Sequence, residues 1–239
     1  MHVPITRRRF TAAAGALLVA PRARAGASWR LATGYRAESF HTLNIAALAS
    51  AVDAATGGEL RIAVHPNNGL VKLAEIRATV EAGQVEAGET IITSLVREIP
   101  IAGADAVLAE GRIDSMITSA VTGVENKVWS HVKHYYEINA WFPKNLVFAN
   151  AAALAALPPR ARTVLLEASA TAEQRGWAAS AAAATQSLEE LRRNAMKVER
   201  TPPELGREIK RLGERFSVEW IRQVGAEANE IFIPYFTQT

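Results

Sequence analysis

The stretch HTLNIAALASAVDAATGGELRIAVHP, residues His41–Pro66, sets the folding pattern of the first half of the chain. Its first part has apolar residues at helical spacing and ends on Gly57 and Gly58, a typical helix C-terminus. Its second part, Glu59–Pro66, alternates apolar and polar residues as a half-buried strand does. The stretch therefore predicts a helix followed by a strand.

The flanking segments extend this unit in both directions. SWRLATGY (Ser28–Tyr35) predicts a first strand, and the residues Asn67, Asn68 and Gly69 predict a turn. VKLAEIRATVEAG (Val71–Gly83) predicts a second helix closed by glycine, and AGETIITSL (Ala87–Leu95) a third strand. A β-α-β-α-β series of this kind builds a parallel sheet with helical cover, so the fold class is α/β.

The second half repeats the alternation less regularly and contains one long helix. Pro159–Arg193 has no internal proline and is rich in good helix formers, with Pro159 in the first turn. The other predicted elements are a short helix at Val107–Gly111, a strand at Arg112–Ala120, a helix at Glu125–Glu137, a strand at Asn145–Asn150, a strand at MKVER (Met196–Arg200) and a final helix or helix pair.

One phrase occurs twice. GQVEAGETIITS begins at Gly83 and GRIDSMITSA begins at Gly111, and both lead from a glycine into an apolar stretch ending in Thr-Ser. Each glycine is expected to close a helix and each apolar stretch to form a strand. Two helix-to-strand junctions that happen to use similar residues would give the same pattern.

Residues 1–25 have the pattern of an export signal. Arg7–Arg9 form a positive segment, Thr11–Ala20 a short apolar segment, and Ala23-Arg24-Ala25 a cleavage site that would leave Gly26 first. TRRRF (Thr6–Phe10) resembles the twin-arginine motif, and an arginine-rich signal for the general secretory route is the alternative. We therefore expect a periplasmic location.

Composition and charge exclude several classes of protein. The 239 residues contain no cysteine, which excludes disulfides, thiolate metal sites and a cysteine nucleophile. Five of the 27 basic residues and none of the 24 acidic ones lie in residues 1–25, so the remaining chain carries a formal charge of −2. The whole-chain excess of positive charge therefore does not indicate a nucleic-acid partner.

The order of these elements and their amino-acid sequences resemble those of the solute-binding proteins of TRAP transporters, the DctP-type family. The resemblance lies in Leu31–Glu89, in Gly111–Asn150 and in the long helix that follows. It implies two α/β lobes of the periplasmic-binding-protein type II-like kind, joined by crossing strands and a long spanning helix, with the ligand in the cleft between them. In that architecture each lobe carries a helix-glycine-strand element, which accounts for the doubled phrase.

The spacing of the two phrases departs from this family pattern. They begin only 28 positions apart, and Pro100–Val107 runs directly into Leu108–Asp114. About a hundred residues, the size of a small domain, are therefore expected to be missing from the second lobe. The predicted division is an export signal at 1–25, a first lobe at 26–107, hinge strands with a remnant of the second lobe at 108–150, and the long helix with C-terminal elements at 151–239.

This shortening also affects the expected ligand contacts. The resemblance implies a carboxylate ligand held by an arginine of the second lobe, and no segment here matches the surroundings of that arginine. The candidate ligand-binding residues follow predicted strand ends or border the hinge. They are Tyr35, Phe40, Asn67, Asn68, Glu89, Thr93, Ser94, Ser119, Thr122, Trp141, Lys144 and Asn145.

Several of these residues also have a purely structural interpretation. Phe40 could pack against the helix that follows it, and Asn67 and Asn68 could form a plain turn. The hydroxyl groups could satisfy nearby backbone, and Lys144 could be solvated. The structural interpretation is favoured for the two asparagines and the lysine.

Motifs for catalysis are not found. His131 and His134 lie three apart and could share a helix face, but no further zinc ligand follows by spacing, so surface histidines are expected. The sequence contains no nucleophile elbow, phosphate loop or HExxH motif. We expect neither a cofactor nor a metal.

The leading hypothesis is an exported binding protein that delivers a small organic acid to a membrane permease. The alternatives are a non-binding remnant that self-associates through exposed apolar faces, and a periplasmic enzyme.

Overall fold

The computed structural model describes residues 26–92, 108–140 and 142–237. The elements up to the first gap are β1 (Ala27–Ala32), α1 (Phe40–Thr56), β2 (Leu60–His65), a 3-10 turn (Leu73–Glu75), α2 (Ile76–Glu81) and β3 (Ala87–Ile91). The later elements are α3 (Ala120–Glu125), a 3-10 turn (Val128–Ser130), β4 (His134–Glu137), β5 (Asn145–Ala149), α4 (Ala151–Ala156), α5 (Pro159–Arg193), β6 (Lys197–Arg200), α6 (Pro203–Val224), a 3-10 turn (Gly225–Ala228) and α7 (Asn229–Thr237).

Four strands form the main sheet, in the order β2-β1-β3-β5. The pairs β1–β2 and β1–β3 are parallel, as the β-α-β-α-β pattern predicts, and β5 adds to β3 in the antiparallel direction. A chain segment that comes late in the sequence therefore closes one edge of the sheet. This brings Asn145, the first residue of β5, to the same edge as the C-terminal end of β3.

Helix α1 has clear signals at both ends. Ser39 is its N-cap and accepts a hydrogen bond from the backbone N–H of Thr42, and Gly57 ends it in the left-handed region at φ +62°. Its buried residues Ile45, Leu48 and Val52 recur at helical spacing. They pack with the apolar side chains of the sheet, so the predicted amphipathic helix is confirmed.

Apolar side chains cover the main sheet on both faces. One cluster combines β1 and β2 with α1 and the first half of α5, and its members include Trp29, Leu31, Leu60, Ile45 and Leu165. The other cluster packs α2 against the opposite face through Ile76 and Val80. A sheet buried on both faces is typical of parallel α/β folds.

The long helix α5 links the main sheet to a second, smaller unit. Its 35 residues span about 52 Å at 1.5 Å per residue. Ala161 and Leu165 belong to the first cluster, whereas Leu191 is fully buried in a separate cluster with Val128 and Met196. This third cluster packs against a sheet of two parallel strands, β4 and β6.

Two of the predicted elements are wrong. Arg112–Ala120 contains no strand, since the chain there runs into Ser119, the N-cap of α3. The predicted helix Glu125–Glu137 is divided into the end of α3, a 3-10 turn and β4. Val128, Val132 and Tyr135 have helical spacing and do share one apolar cluster, but Lys127 at φ +49° breaks the helix and β6 provides a strand partner for Tyr135.

The glycines of the doubled phrase do have the same role. Gly83 and Gly111 both have φ of +68°, and each donates its N–H to a carbonyl three residues earlier. Both therefore reverse the chain in a conformation that favours glycine, even though only the first phrase continues as a strand. Within the described residues, no helix is long and apolar enough to span a membrane.

Candidate functional site

A polar cluster lies at the ends of three neighbouring strands of the main sheet. Thr33 follows β1, Glu89 is the middle residue of β3 and lies level with Thr33, and Asn145 begins the antiparallel strand β5. Tyr35 and His41 reach the same place from the loop after β1 and from the first turn of α1. Ligands of open parallel sheets bind at the carboxyl ends of the strands, so this is where a ligand site is expected.

The carboxylate of Glu89 is the centre of this cluster. Glu89 is only 2% exposed. One oxygen, Oε2, accepts a 2.6 Å hydrogen bond from the hydroxyl of Thr33. The other, Oε1, accepts a 3.0 Å bond from Nδ2 of Asn145 and lies 3.3 Å from Nδ1 of His41. A buried carboxylate needs such partners, because it would otherwise lose several kcal/mol of hydration without compensation.

Aromatic rings form one wall of the cluster. The ring of His41 stacks on that of Tyr35 at 4.2 Å between centroids and 21° between planes, and it also contacts the ring of Phe40 at 3.9 Å. The hydroxyl of Tyr35 donates a 3.2 Å hydrogen bond to Oδ1 of Asn145. Burial raises the pKa of the Tyr35 phenol, so Tyr35 stays a neutral hydrogen-bonding group at physiological pH.

The turn after β2 supports the loop that follows β1 and carries Thr33 and Tyr35. Asn67 and Asn68 both have positive φ, and their backbone N–H groups donate to the carbonyl groups of Tyr35 and Thr33. The side-chain oxygen of Asn68 accepts a 2.8 Å bond from the backbone of Leu73. These asparagines therefore form a turn that positions the loop carrying Tyr35, which is the structural interpretation favoured from the sequence.

Three of the predicted ligand-binding residues, Tyr35, Glu89 and Asn145, thus meet in one network, and Phe40 adjoins it. Ser119 and Thr122 do not join it: the Ser119 side chain accepts a bond from the N–H of Thr122 and caps α3. Thr93, Ser94 and Trp141 lie outside the described residues.

Lys144 does not turn its charge toward the cluster. Its Nζ lies over the ring of Trp177 in α5, 5.8 Å from the centroid, and its backbone carbonyl accepts from Ile92. Arg175 of α5 is likewise engaged elsewhere, by the side-chain oxygen of Asn44 at 2.6 Å. His41 is therefore the one basic side chain that contacts Glu89 within the described part of the chain.

Thr33 and His41 were missed by sequence reasoning. Thr33 is the first residue after β1 and is fully buried, a position at which the strand-end argument could have singled it out. His41 has no such signal, because one histidine at a helix start is ordinary. Only the contacts with Glu89 and Asn145 distinguish it.

His131, His134 and a cavity at the start of β1 lie away from the cluster. His131 is not on a helix with His134, which lies in β4 and pairs with the exposed Glu199. No cluster of three metal-binding side chains occurs among residues 26–92, 108–140 and 142–237. A cavity of about 460 Å³ lies between Gly26, Glu59 and the Pro158–Pro159 corner, far from the strand ends that carry the cluster.

A comparison with known protein families shows to which family the chain belongs. The family model for bacterial extracellular solute-binding protein, family 7 (DctP), matches residues 96–215, half of the chain. The chain belongs to this family. Members of family 7 are extracytoplasmic receptors, and a chain of 239 residues is consistent with a shortened member. A search of curated proteins finds no match.

Solved structures of TRAP solute receptors share the fold. DctP7 and DctP6 of Bordetella pertussis, both solved as receptors binding pyroglutamic acid, are 23% identical, with TM-scores of 0.80 and 0.78. The matches cover 88% and 85% of this family 7 chain and 99% and 97% of those proteins. A marine metagenome receptor specific for pyroglutamate is 24% identical with a TM-score of 0.73, over 89% and 99% of the two chains.

Proposed function

We propose that this protein is the exported solute-binding component of a TRAP-type transporter and that it captures a small organic acid. The observation that carries the proposal is the polar cluster of Thr33, Tyr35, His41, Glu89 and Asn145 at the strand ends of a family 7 fold. Binding proteins of this architecture place their ligands at such strand ends.

The composition of the cluster suits a small, partly planar ligand. The stacked rings of Tyr35 and His41 offer a flat apolar surface, and the Asn145 amide and Tyr35 hydroxyl offer hydrogen bonds beside it. Pockets for small molecules combine an apolar wall with a few convergent polar groups in this way. Pyroglutamate, the ligand of three similar receptors, has a flat ring, an amide and one carboxylate, and it is the first compound to test.

Delivery to a membrane permease follows from this assignment. The leader at 1–25 would export the chain, and the cleaved protein would present its bound acid to the permease subunits of a TRAP transporter. Mass spectrometry of the protein recovered from a periplasmic extract tests export. A mature N-terminus at Gly26 is expected, and an intact Met1 would contradict it.

Ligand binding is tested by thermal unfolding of the exported protein with a panel of organic acids. A ligand at 100 times its dissociation constant stabilises the folded state by about 2.7 kcal/mol, which raises the melting temperature by several degrees. Pyroglutamate should do so, whereas 2-pyrrolidinone, which lacks the carboxylate, should not.

Two tyrosine variants localise the binding site. Tyr35→Phe removes a hydroxyl that borders the proposed ligand position and also orients Asn145, and it should weaken binding about fivefold, because one hydrogen bond to the ligand contributes about 1 kcal/mol. Tyr136→Phe removes a half-exposed hydroxyl from β4, away from the cluster, and should bind as the unmodified protein does. Equal weakening in both variants would place the site elsewhere.

A second candidate function, a non-binding interaction protein, is favoured by helix α6. None of its residues is buried, and Leu205, Leu212, Phe216 and Trp220 form an exposed apolar stripe. Such a stripe often marks an interaction surface. Sedimentation equilibrium would support self-association if the protein is dimeric and Phe216→Ser is monomeric. A monomer that binds pyroglutamate would exclude this alternative as the main function.

A further inference from the structure

The buried carboxylate of Glu89 creates an electrostatic problem for an acidic ligand. Two carboxylates near each other in a partly buried site repel, unless a positive group lies between them. Lys144 and Arg175 are both engaged elsewhere. His41 is therefore the described basic side chain placed to supply that charge.

The surroundings of His41 orient its ring and leave one edge available. Nδ1 lies 3.3 Å from Oε1 of Glu89 and 3.2 Å from Nδ2 of Asn145, and the ring is stacked against Tyr35 and Phe40. The side chain is 22% exposed. None of the described residues hydrogen-bonds to Nε2, so this nitrogen is the polar edge that the network leaves for another molecule.

The two contacts of Nδ1 fit the two protonation states of the ring. In the neutral ring Nδ1 can accept from the Asn145 amide, and in the imidazolium it can donate to the Glu89 carboxylate. In the charged state the Asn145 amide loses its bond to Nδ1 and keeps the one to Oε1 of Glu89. The Tyr35 phenol stacks on the ring, and Glu125 acts electrostatically on that phenol. On neighbouring elements, Lys144 contacts Trp177 and Arg175 contacts Asn44.

We propose that the His41 imidazolium, with its Nδ1–H directed at Glu89, donates its Nε2–H to the carboxylate of the ligand. This inference rests on the proposed binding function and specifies how the acid is recognised. Because the ligand selects the charged ring, its binding to a protein molecule whose His41 is neutral is accompanied by uptake of one proton, which moves from the buffered water to His41. The ligand class is a small carboxylate that stays ionised throughout this pH range.

Isothermal titration calorimetry of pyroglutamate into the exported protein tests the proposal. At pH 8, titrations in phosphate and Tris, whose ionisation enthalpies differ, should reveal uptake of close to one proton per ligand. The dissociation constant should rise from pH 6.5 to pH 8, because binding that takes up a proton becomes weaker as protons become scarcer.

Two histidine variants complete the experiment. His41→Gln should weaken binding at least tenfold at pH 6.5 and abolish both the proton uptake and the pH dependence. His134→Gln is the matched control, because His134 also has Nδ1 beside a glutamate, at 3.5 Å, but lies exposed in the small sheet. It should keep the affinity, the proton uptake and the pH dependence of the unmodified protein.

The outcomes separate this inference from the proposed function. Binding of pyroglutamate without proton uptake, or an unchanged affinity in His41→Gln, would overturn the role of His41 and leave the receptor function standing. An unmodified protein that binds no acid at any pH would overturn both. If His41→Gln does not fold, the proposal is tested by the unmodified protein alone. Its binding enthalpy should differ between phosphate and Tris, and equal enthalpies would overturn the proposal.

Discussion

The hydroxyl of Thr33 donates a 2.6 Å hydrogen bond to Oε2 of Glu89, across 56 positions of sequence and within the buried part of the main sheet. This bond joins the end of β1 to the middle of β3, and these two strands pair directly at only two positions. The carboxylate of Glu89 therefore serves as a connector between strands as well as a part of the candidate site.

Glu89→Ala is expected to destabilise the protein strongly. The substitution leaves the Thr33 hydroxyl and the Asn145 amide buried without their acceptor, which costs about 3 kcal/mol of unfolding free energy. Urea denaturation measures this loss. Glu199→Ala, at a glutamate whose side chain is 50% exposed beside His134, should change the same quantity by less than about 0.5 kcal/mol. Similar losses in both variants would contradict the structural role of Glu89.

Gly88→Ala should destabilise the main sheet by steric overlap. A Cβ at this position would lie against the Cγ2 methyl groups of Ile76 and Val80 in α2, with the first overlapping severely. Overpacking of this kind costs about 1–3 kcal/mol.

Gly213→Ala provides a glycine control for this experiment. Gly213 lies inside α6, and no atom lies within 4 Å of an added Cβ. Alanine there should stabilise by about 0.5–1 kcal/mol through helix propensity. Urea denaturation of the two variants should thus give shifts of opposite sign, and a neutral Gly88→Ala would show that α2 packs less closely than described.

The ion pair between Arg30 and Glu86 should make stability depend on pH. The Arg30 guanidinium, which donates 3.0 and 3.1 Å hydrogen bonds to both Glu86 oxygens, lowers the pKa of that carboxyl. The unfolded chain then binds more protons than the folded one in the acid range, so the contribution is present above about pH 4.3 and is lost as pH falls through the folded pKa.

Arg30→Met is the variant that tests this contribution. The difference in urea midpoint between Arg30→Met and the unmodified protein should be largest at pH 7 and should shrink below pH 4. Arg207→Met removes an exposed partner of Glu204 in α6 and should shift the midpoint less at pH 7. A difference that stays constant from pH 7 to pH 3 would contradict the assigned ion pair.

Asn44→Ala should loosen the contact between α1 and α5. The side chain of Asn44 donates a 2.9 Å bond to the carbonyl of Ala172 and accepts a 2.6 Å bond from Nε of Arg175. Losing both should cost about 1–2 kcal/mol in urea denaturation. Ser50→Ala, at an exposed position of the same helix, should have an effect within about 0.5 kcal/mol. An Asn44→Ala variant as stable as the unmodified protein would show that these bonds do not hold the helices together.

Much of the fold follows from local sequence patterns. The helix at 41–58 and the 35-residue helix at Pro159–Arg193 match α1 and α5 closely, because apolar spacing, a terminal glycine or proline and good helix formers act within a few residues of each other. The region 125–137 shows the limit of this reasoning. Its apolar spacing fits a helix, yet pairing with β6 makes Tyr135 part of a strand, and that partner is 63 positions away.

The candidate site was likewise predictable only in part from the sequence. The sequence predicts Tyr35 and Glu89 because polar residues at the ends of strands converge in a parallel sheet, and it predicts Asn145 because the hinge segment borders the ligand in the family that the chain resembles. Their actual partners could not be predicted, since Thr33 meets Glu89 across 56 positions and His41 meets Asn145 across 104. Contacts over such separations depend on how the strands are ordered and on which way β5 runs.

The amino-acid sequence by itself therefore determined the family and most of the elements, since helix ends, strand alternation and sequence motifs are properties of neighbouring residues. Only the tertiary structure decided which polar groups form one network and that His41 lies against Glu89. The physical reason is that a buried carboxylate is satisfied by whichever donors the packed sheet brings within about 3 Å, and no local pattern records that distance.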